Sequence, residues 1–246
     1  MKRKFEYVPS SEYDPVIRRI RSCMDRVSHL VYEKGLSFDW GFVGSTNRNG
    51  HLFITREIGG NKGFDHDVNI YLKRPSDDEH WKADFARLTF YEAIDKVFHD
   101  LGYKHAEDRT SVIRVKFPDV NNRTIMHSCD FAVFQDIRNG DGTLSEKYAR
   151  KYDNGSYGWT TRGGRNDDAI AKLQWLEGHV GDDGDNRYPY CYKTGSLYGN
   201  LKGEYINLKN SNQDDRKCSF QLFNEAINNV FNQWQQFIRD EKTRNE

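Results

Sequence analysis

FDHDVNIYL, residues 64–72, sets two aspartates two positions apart inside a run rich in apolar and β-branched side chains. That composition, closed by Lys73-Arg74-Pro75, predicts a strand. Side chains in a strand alternate between faces, so Asp65 and Asp67 project from one side while His66 and Val68 project from the other. Two ionised carboxylates that close repel and shift each other's pKa. A divalent cation removes the objection, because Mg²⁺ requires oxygen ligands and commonly takes one or two carboxylates together with substrate phosphates.

Two further stretches bear on the same chemistry. TIMHSCDFAVF (124–134) reads as a strand with Asp130 among apolar neighbours, where an unpaired charge is expensive. If this strand lies beside 64–72, three carboxylates converge, with Met126, Ser128, Asp130 and Ala132 sharing the site face. The competing role for Asp130 is a cross-strand ion pair with Arg114 of SVIRVKF (111–117). Upstream, FDWGFV (38–43) reads as a short strand running into Gly44-Ser45. A glycine there lets backbone N–H groups approach a phosphate, and the serine hydroxyl adds a donor.

The ordered set FVGS (42–45), FDHDVNIYL (64–72) and SCDFAVF (128–134) resembles the DNA polymerase β nucleotidyltransferase superfamily. Its pattern is a glycine-serine turn after a strand, an acid-x-acid flanked by hydrophobics, and a third acid on a later strand. The resemblance covers about residues 12–135, with a longer spacer than usual between Gly-Ser and Asp65, read as an inserted hairpin at 50–63. It implies Mg²⁺-dependent nucleotidyl transfer from an NTP or dNTP, with Mn²⁺ as a substitute ion. Asp65 and Asp67 would bridge two metals, and Asp130 would complete the site of the one that activates the acceptor hydroxyl. Gly44 and Ser45 would hold the β- and γ-phosphates, with Arg48 and Lys172 neutralising charge. Lys172, in AIAKLQWL, is carried over from the helix lysine of template-independent members such as oligoadenylate synthases and bacterial cyclic-oligonucleotide synthases. The acceptor stays open: another nucleotide, giving an oligonucleotide signal of the bacterial defence type, or tRNA, a protein side chain or an aminoglycoside-like drug. The rival reading is a nucleotide-binding module of the same fold without catalysis.

Around these motifs the 246 residues alternate helix and strand. Apolar residues at three- and four-residue spacing predict helices over 12–34, stopped by Gly35, and over 78–101. After Asp136 glycine, aspartate, asparagine and tyrosine take over, and a soft seam falls near 137–143. Helices are predicted over 166–177 and from an N-cap at Ser219 onward, with 181–206 read as loop. The expected fold is α/β (α+β): a mixed, mostly antiparallel sheet with packed helices over 1–137, then a mostly helical lobe over 138–246 that completes a nucleotide cleft.

Composition bounds the rest. Aromatics at 14% exclude a disordered chain. Lys+Arg and Asp+Glu balance at 37 each, so bulk charge predicts neither a long nucleic-acid track nor a membrane surface. No apolar run reaches membrane-spanning length, and the start MKRKFEYVPSSEYD lacks a signal-peptide core. Four scattered cysteines without a CxxC pair predict free thiols, and the expected location is the cytoplasm. Oligomeric state is left open. The acidic loop at 181–186, the Arg162–Arg165 turn and the tyrosines at 188, 190, 192, 198 and 205 read as loop, turn and packing. His66 and His127 fall on the face opposite the acids.

Overall fold

The computed structural model describes residues 3–46, 53–61, 63–73, 82–119, 121, 123–138, 144–161, 167–180, 197–212 and 217–245. The chain divides into two compact units, Tyr7–Gly163 and Gly164–Glu246 with Met1–Glu6. The short strands β1 (Phe5–Tyr7) and β3 (Thr55–Glu57) stand apart from the main sheet.

In the larger unit β2 (Phe38–Val43), β4 (Phe64–Leu72), β7 (Ile125–Arg138), β6 (Ile113–Pro118) and β5 (Glu107–Asp108) pair in the order β2-β4-β7-β6-β5. β8 (Leu144–Lys151) pairs with the far end of β7, and β9 (Tyr157–Thr161) with β8. β4 and β7 run parallel; every other pair in this sheet is antiparallel. Parallel neighbours need a crossover, and α2 (Ala83–His99) lies within the one between β4 and β7.

Alternation along the strands builds the core. Phe64, Val68 and Ile70 of β4 join Cys129, Phe131 and Val133 of β7 in one buried cluster. Val16, Ile20, Met24, Val27 and Val31 of α1 (Ser10–Tyr32) join it, with Phe90, Ile94, Val97 and Phe98 of α2. Each such large side chain contributes about 1.5–3 kcal/mol by leaving water. The helices therefore cover one face, and the odd-numbered residues of β4 turn to the other. α1 ends where Gly35 takes φ 81° and its N–H donates to the Tyr32 carbonyl at 2.8 Å.

The smaller unit packs α3 (Asp167–Val180), α4 (Leu197–Ser211) and α5 (Ser219–Asn245). Leu173 and Leu176, Leu201 and Tyr205, and Ile227, Val230 and Trp234 are among its buried residues. Ser219 is the first residue of α5 instead of its cap: the Cys218 N–H donates to Gln221 Oε1 at 2.9 Å.

The structure departs from the sequence-based expectations at three further places. The boundary expected at 137/138 falls inside β7, and the sheet continues through β8 and β9 to give a unit ending at Gly163. β8 is largely polar, with Ala149 its fully buried residue among those described, so alternation was faint. α4 occupies much of the stretch read as loop: Leu197, Tyr198, Leu201 and Tyr205 bury one face, but Gly199 and Gly203 weaken the helical signal. Finally, the insertion read as a surface hairpin contains Phe53 and Ile54, which are buried.

Candidate active site

Register brings the acids together. β4 and β7 are aligned so that Asp65 lies opposite Ser128 and Asp67 opposite Asp130. β6 places Arg114 opposite Asp130 and Lys116 opposite Ser128, and β5 places Glu107 opposite Arg114. Two transverse rows therefore cross the sheet face opposite α1 and α2: Asp67, Asp130, Arg114, Glu107 and, beside it, Asp65, Ser128, Lys116. The neighbouring strands demanded by the sequence reading are present.

The side chains add what register alone cannot show. Arg114 grips Asp130 at two points, Nε to Oδ1 and Nη2 to Oδ2, both at 2.6 Å. Its hydrogen bonds to Asp130 raise the Arg114 pKa, opposed by burial and reinforced by the charges of Asp130, Asp65 and Glu107. Ser128 Oγ donates to Asp65 Oδ1. Glu107 accepts from Lys116 Nζ at 2.5 Å and from Arg109 Nε at 2.8 Å.

Among the described residues no three His, Cys, Asp or Glu side chains form a ready-made metal cage. Register nevertheless sets Asp65, Asp67 and Asp130 on one face of two paired strands. Asp130 stands in the right row, but its carboxylate is turned onto Arg114. The physical reason is charge: neighbouring carboxylates repel, and a guanidinium fork matches a carboxylate in planar geometry. The donor set still fits Mg²⁺ in kind, since aspartate oxygens are the hard ligands it takes.

Gly44 stands against one of these acids, Asp67. It opens a single 3₁₀ turn, Gly44–Thr46, immediately after β2, with φ 61°. A Cβ built on it would stand 2.3 Å from Asp67 Oδ2. The glycine backbone thus lies against the Asp67 carboxylate, and a side chain here would meet both that carboxylate and a strained positive φ. The Ser45 carbonyl accepts from the Phe53 N–H at 2.7 Å, tying the inserted segment to this turn. Behind it Thr46 Oγ1 meets His66 Nδ1 at 3.1 Å in the core.

The remaining candidates divide. Arg48 lies outside the described residues, as do Cys191, residues 162–165, 181–186 and Tyr188, Tyr190 and Tyr192. Lys172, on α3, is engaged within its own unit: Nζ donates to Asp168 Oδ2 at 2.6 Å and Asn228 Oδ1 at 2.8 Å, and stands 5.8 Å from the Phe231 ring centre. His66 is buried as parity required, and burial lowers its pKa to about 4. His127 meets the Tyr103 hydroxyl at 2.9 Å, and burial lowers its pKa to about 3. Neither faces the acids. Tyr198 and Tyr205 are buried, in keeping with packing. Sequence reasoning did not assign a role to Ser128 or Asn69. Asn69 continues the Asp65, Asp67 face, is buried, and donates to the Tyr71 hydroxyl at 2.8 Å. The same period of two that found the aspartates would have found it.

No protein-family profile matches this chain, and no curated protein matches it in sequence. Solved structures do match in shape. Escherichia coli DncV in its 3′-deoxy GTP-bound form aligns with a TM-score of 0.58 and 10% identity, over 93% of this chain and 69% of that one. Elizabethkingia meningoseptica CdnE, a cyclic dinucleotide synthase with GTP and Apcpp, gives 0.46 and 13% identity over 87% and 69%. The Bradyrhizobium diazoefficiens CD-NTase CdnG in complex with GTP gives 0.45 and 10% over 71% and 43%. The chain thus spans between 43% and 69% of these structures' lengths. No helix among the described residues is long and apolar enough to cross a membrane. The mixed, mostly antiparallel sheet and its packed helices have the fold of DncV, which is the fold that the Gly-Ser, Asp-x-Asp and Asp130 motifs implied.

Proposed function

We propose that this chain is a template-independent nucleotidyltransferase that uses Mg²⁺ to move a nucleoside monophosphate from an NTP or dNTP to an acceptor hydroxyl. The acceptor class favoured is a second nucleotide, giving an oligonucleotide signal. The observation that carries the reading is the placement of Gly44 against Asp67, with Asp65 beside it and Asp130 opposite, in a fold shared with DncV. A glycine-serine turn at the edge of two same-face aspartates serves a triphosphate and its counter-ion together.

In this reading Asp65 and Asp67 would hold the cation, and the Ser128 hydroxyl, which donates to Asp65 Oδ1, would orient the Asp65 carboxylate. Gly44 keeps the turn free of side-chain bulk, and the backbone and Ser45 hydroxyl donate to the phosphates. Asp130 would complete the site of the cation that activates the acceptor hydroxyl. Mg²⁺ bound there supplies charge neutralisation at the leaving pyrophosphate and makes the acceptor hydroxyl more acidic. Arg48 and Lys172 remain candidates for charge neutralisation at the phosphates. Lys172 would have to exchange Asp168 for a phosphate.

Incubation with each α-³²P-labelled NTP and dNTP in Mg²⁺ or Mn²⁺, followed by separation of small products, RNA and protein, tests the reading. Labelled small product with pyrophosphate release is expected. Nucleotide binding without turnover across all donors would instead leave a binding module of the same fold.

A further inference from the structure

The two-point grip of Arg114 on Asp130 has no part in the chemistry proposed above. A carboxylate whose two oxygens both accept from one guanidinium offers its best-placed lone pairs to that guanidinium and not to a cation. The arginine also puts a positive charge beside the place where a divalent ion would sit. Yet Arg114 has a second acid within reach of its own row. Glu107 stands directly opposite it on β5, away from Asp130, and its charge adds to the high basicity of Arg114. The row thus runs acid, arginine, acid across β7, β6 and β5.

Resting on the nucleotidyltransferase reading, we infer that Arg114 is a positioning residue that competes with the divalent cation for Asp130 and withdraws toward Glu107 when the cation binds. In the cation-free protein it balances the charge of Asp130 and keeps it directed across the sheet. Asp130 becomes a ligand only when a cation outbids the guanidinium. Lys116 and Arg109, which now engage Glu107, would share that carboxylate with it. Arg114 thereby sets the cation concentration at which the site is assembled, without touching the reacting atoms.

The test is Mn²⁺ binding to the full chain without nucleotide, read from loss of the free-ion signal in electron paramagnetic resonance. Arg114→Met, at a side chain one-third exposed, keeps the apolar stem and removes the fork; it should bind Mn²⁺ at least about tenfold more tightly than wild type. Arg114→Lys, which keeps stem and charge, should show a smaller gain and serves if the methionine variant does not fold. Glu107→Gln should weaken Mn²⁺ binding about threefold or more in the wild-type background and have no effect in the Arg114→Met background. Unchanged or weaker binding in the folded Arg114 variants overturns the inference while leaving the metal site standing. A Glu107→Gln effect of equal size in both backgrounds overturns the withdrawal to Glu107. No Mn²⁺ binding by wild type, or binding that Asp67→Asn leaves intact, overturns the metal reading itself, and the inference with it.

Discussion

Gly44 and Asp67 are separated by more than twenty positions in the chain, yet a single hydrogen-to-methyl change at one would strike the other. Gly44→Ala meets two penalties: a positive φ that disfavours any Cβ, and a built Cβ 2.3 Å from Asp67 Oδ2. The carboxylate must move or the turn must open. We expect nucleotidyl transfer to fall at least about a hundredfold, about 2.7 kcal/mol at the transition state, with the fold retained. Gly41→Ala, on the strand that leads into this turn and with open space around it, should leave activity within about twofold. Steady-state rates of pyrophosphate release for the two variants decide this, and equal rates would remove Gly44 from the site. At this scale the sequence was legible in part. Period two put Asp65 and Asp67 on one face, and parity excluded His66 and His127. Which partner Asp130 takes was open, because Arg114 and Asp67 flank it on opposite sides at equal register. The contact of Gly44 with Asp67 was hidden because it depends on a turn's dihedral angle and on strand register together.

At the scale of elements, α2 is tied to the sheet by a charge that hydrophobic patterning does not show. Arg87 sits on the buried face of α2 with a side-chain exposure of 0%. Its guanidinium meets Asp108 Oδ1 at 2.9 and 3.0 Å and the carbonyls of Arg109 at 2.8 Å and Ala149 at 3.3 Å. One side chain thus joins α2, the end of β5 and β8. Burial lowers the Arg87 pKa, and the hydrogen bonds and charge of Asp108 oppose it. Asp108 also accepts from Tyr157 on β9 at 2.6 Å and pairs with Lys151 at 3.0 Å, so the cluster anchors the hairpin that the sequence did not reveal. Arg87→Met should destabilise the fold by about 3 kcal/mol, because removing one partner strands buried acceptors. Denaturant unfolding measures this, and a loss under about 1 kcal/mol would show the cluster to be dispensable. Helices α1, α2, α3 and α5 were legible because their apolar spacing is strong, whereas β8, β9 and α4 were not. Polar strand faces and helix glycines blur the periods on which such readings depend.

For the whole molecule, the buried histidines give stability a pH dependence. His127 has a folded-state pKa lowered by burial to about 3, and His66 to about 4, both below the ordinary 6.5. Between those values the unfolded chain takes up protons that the folded one refuses. Their contribution is therefore fully present above about pH 6.5 and is lost as pH falls toward about 4 for His66 and about 3 for His127, at about 1.4 kcal/mol per pH unit for each. The melting temperature should fall steeply over that window. His127→Gln should lower stability at neutral pH, by loss of the Tyr103 contact, and flatten the slope by one proton's worth. An unchanged slope would place the pH dependence elsewhere.

Composition changes near 137–143, but the sheet-bearing unit runs to Gly163 because the polar hairpin continues the sheet past that change. The central claim is that Asp65 and Asp67 hold the cation that drives nucleotidyl transfer, and Asp67→Asn tests it most directly, since it removes an ionic ligand with almost no change in volume. Pyrophosphate release and Mn²⁺ binding should be measured on the same folded preparations of wild type and variant. A rate at least about a thousandfold lower, about 4 kcal/mol, is expected for Asp67→Asn, together with weakened Mn²⁺ binding. A folded Asp67→Asn protein that releases pyrophosphate at the wild-type rate would contradict it.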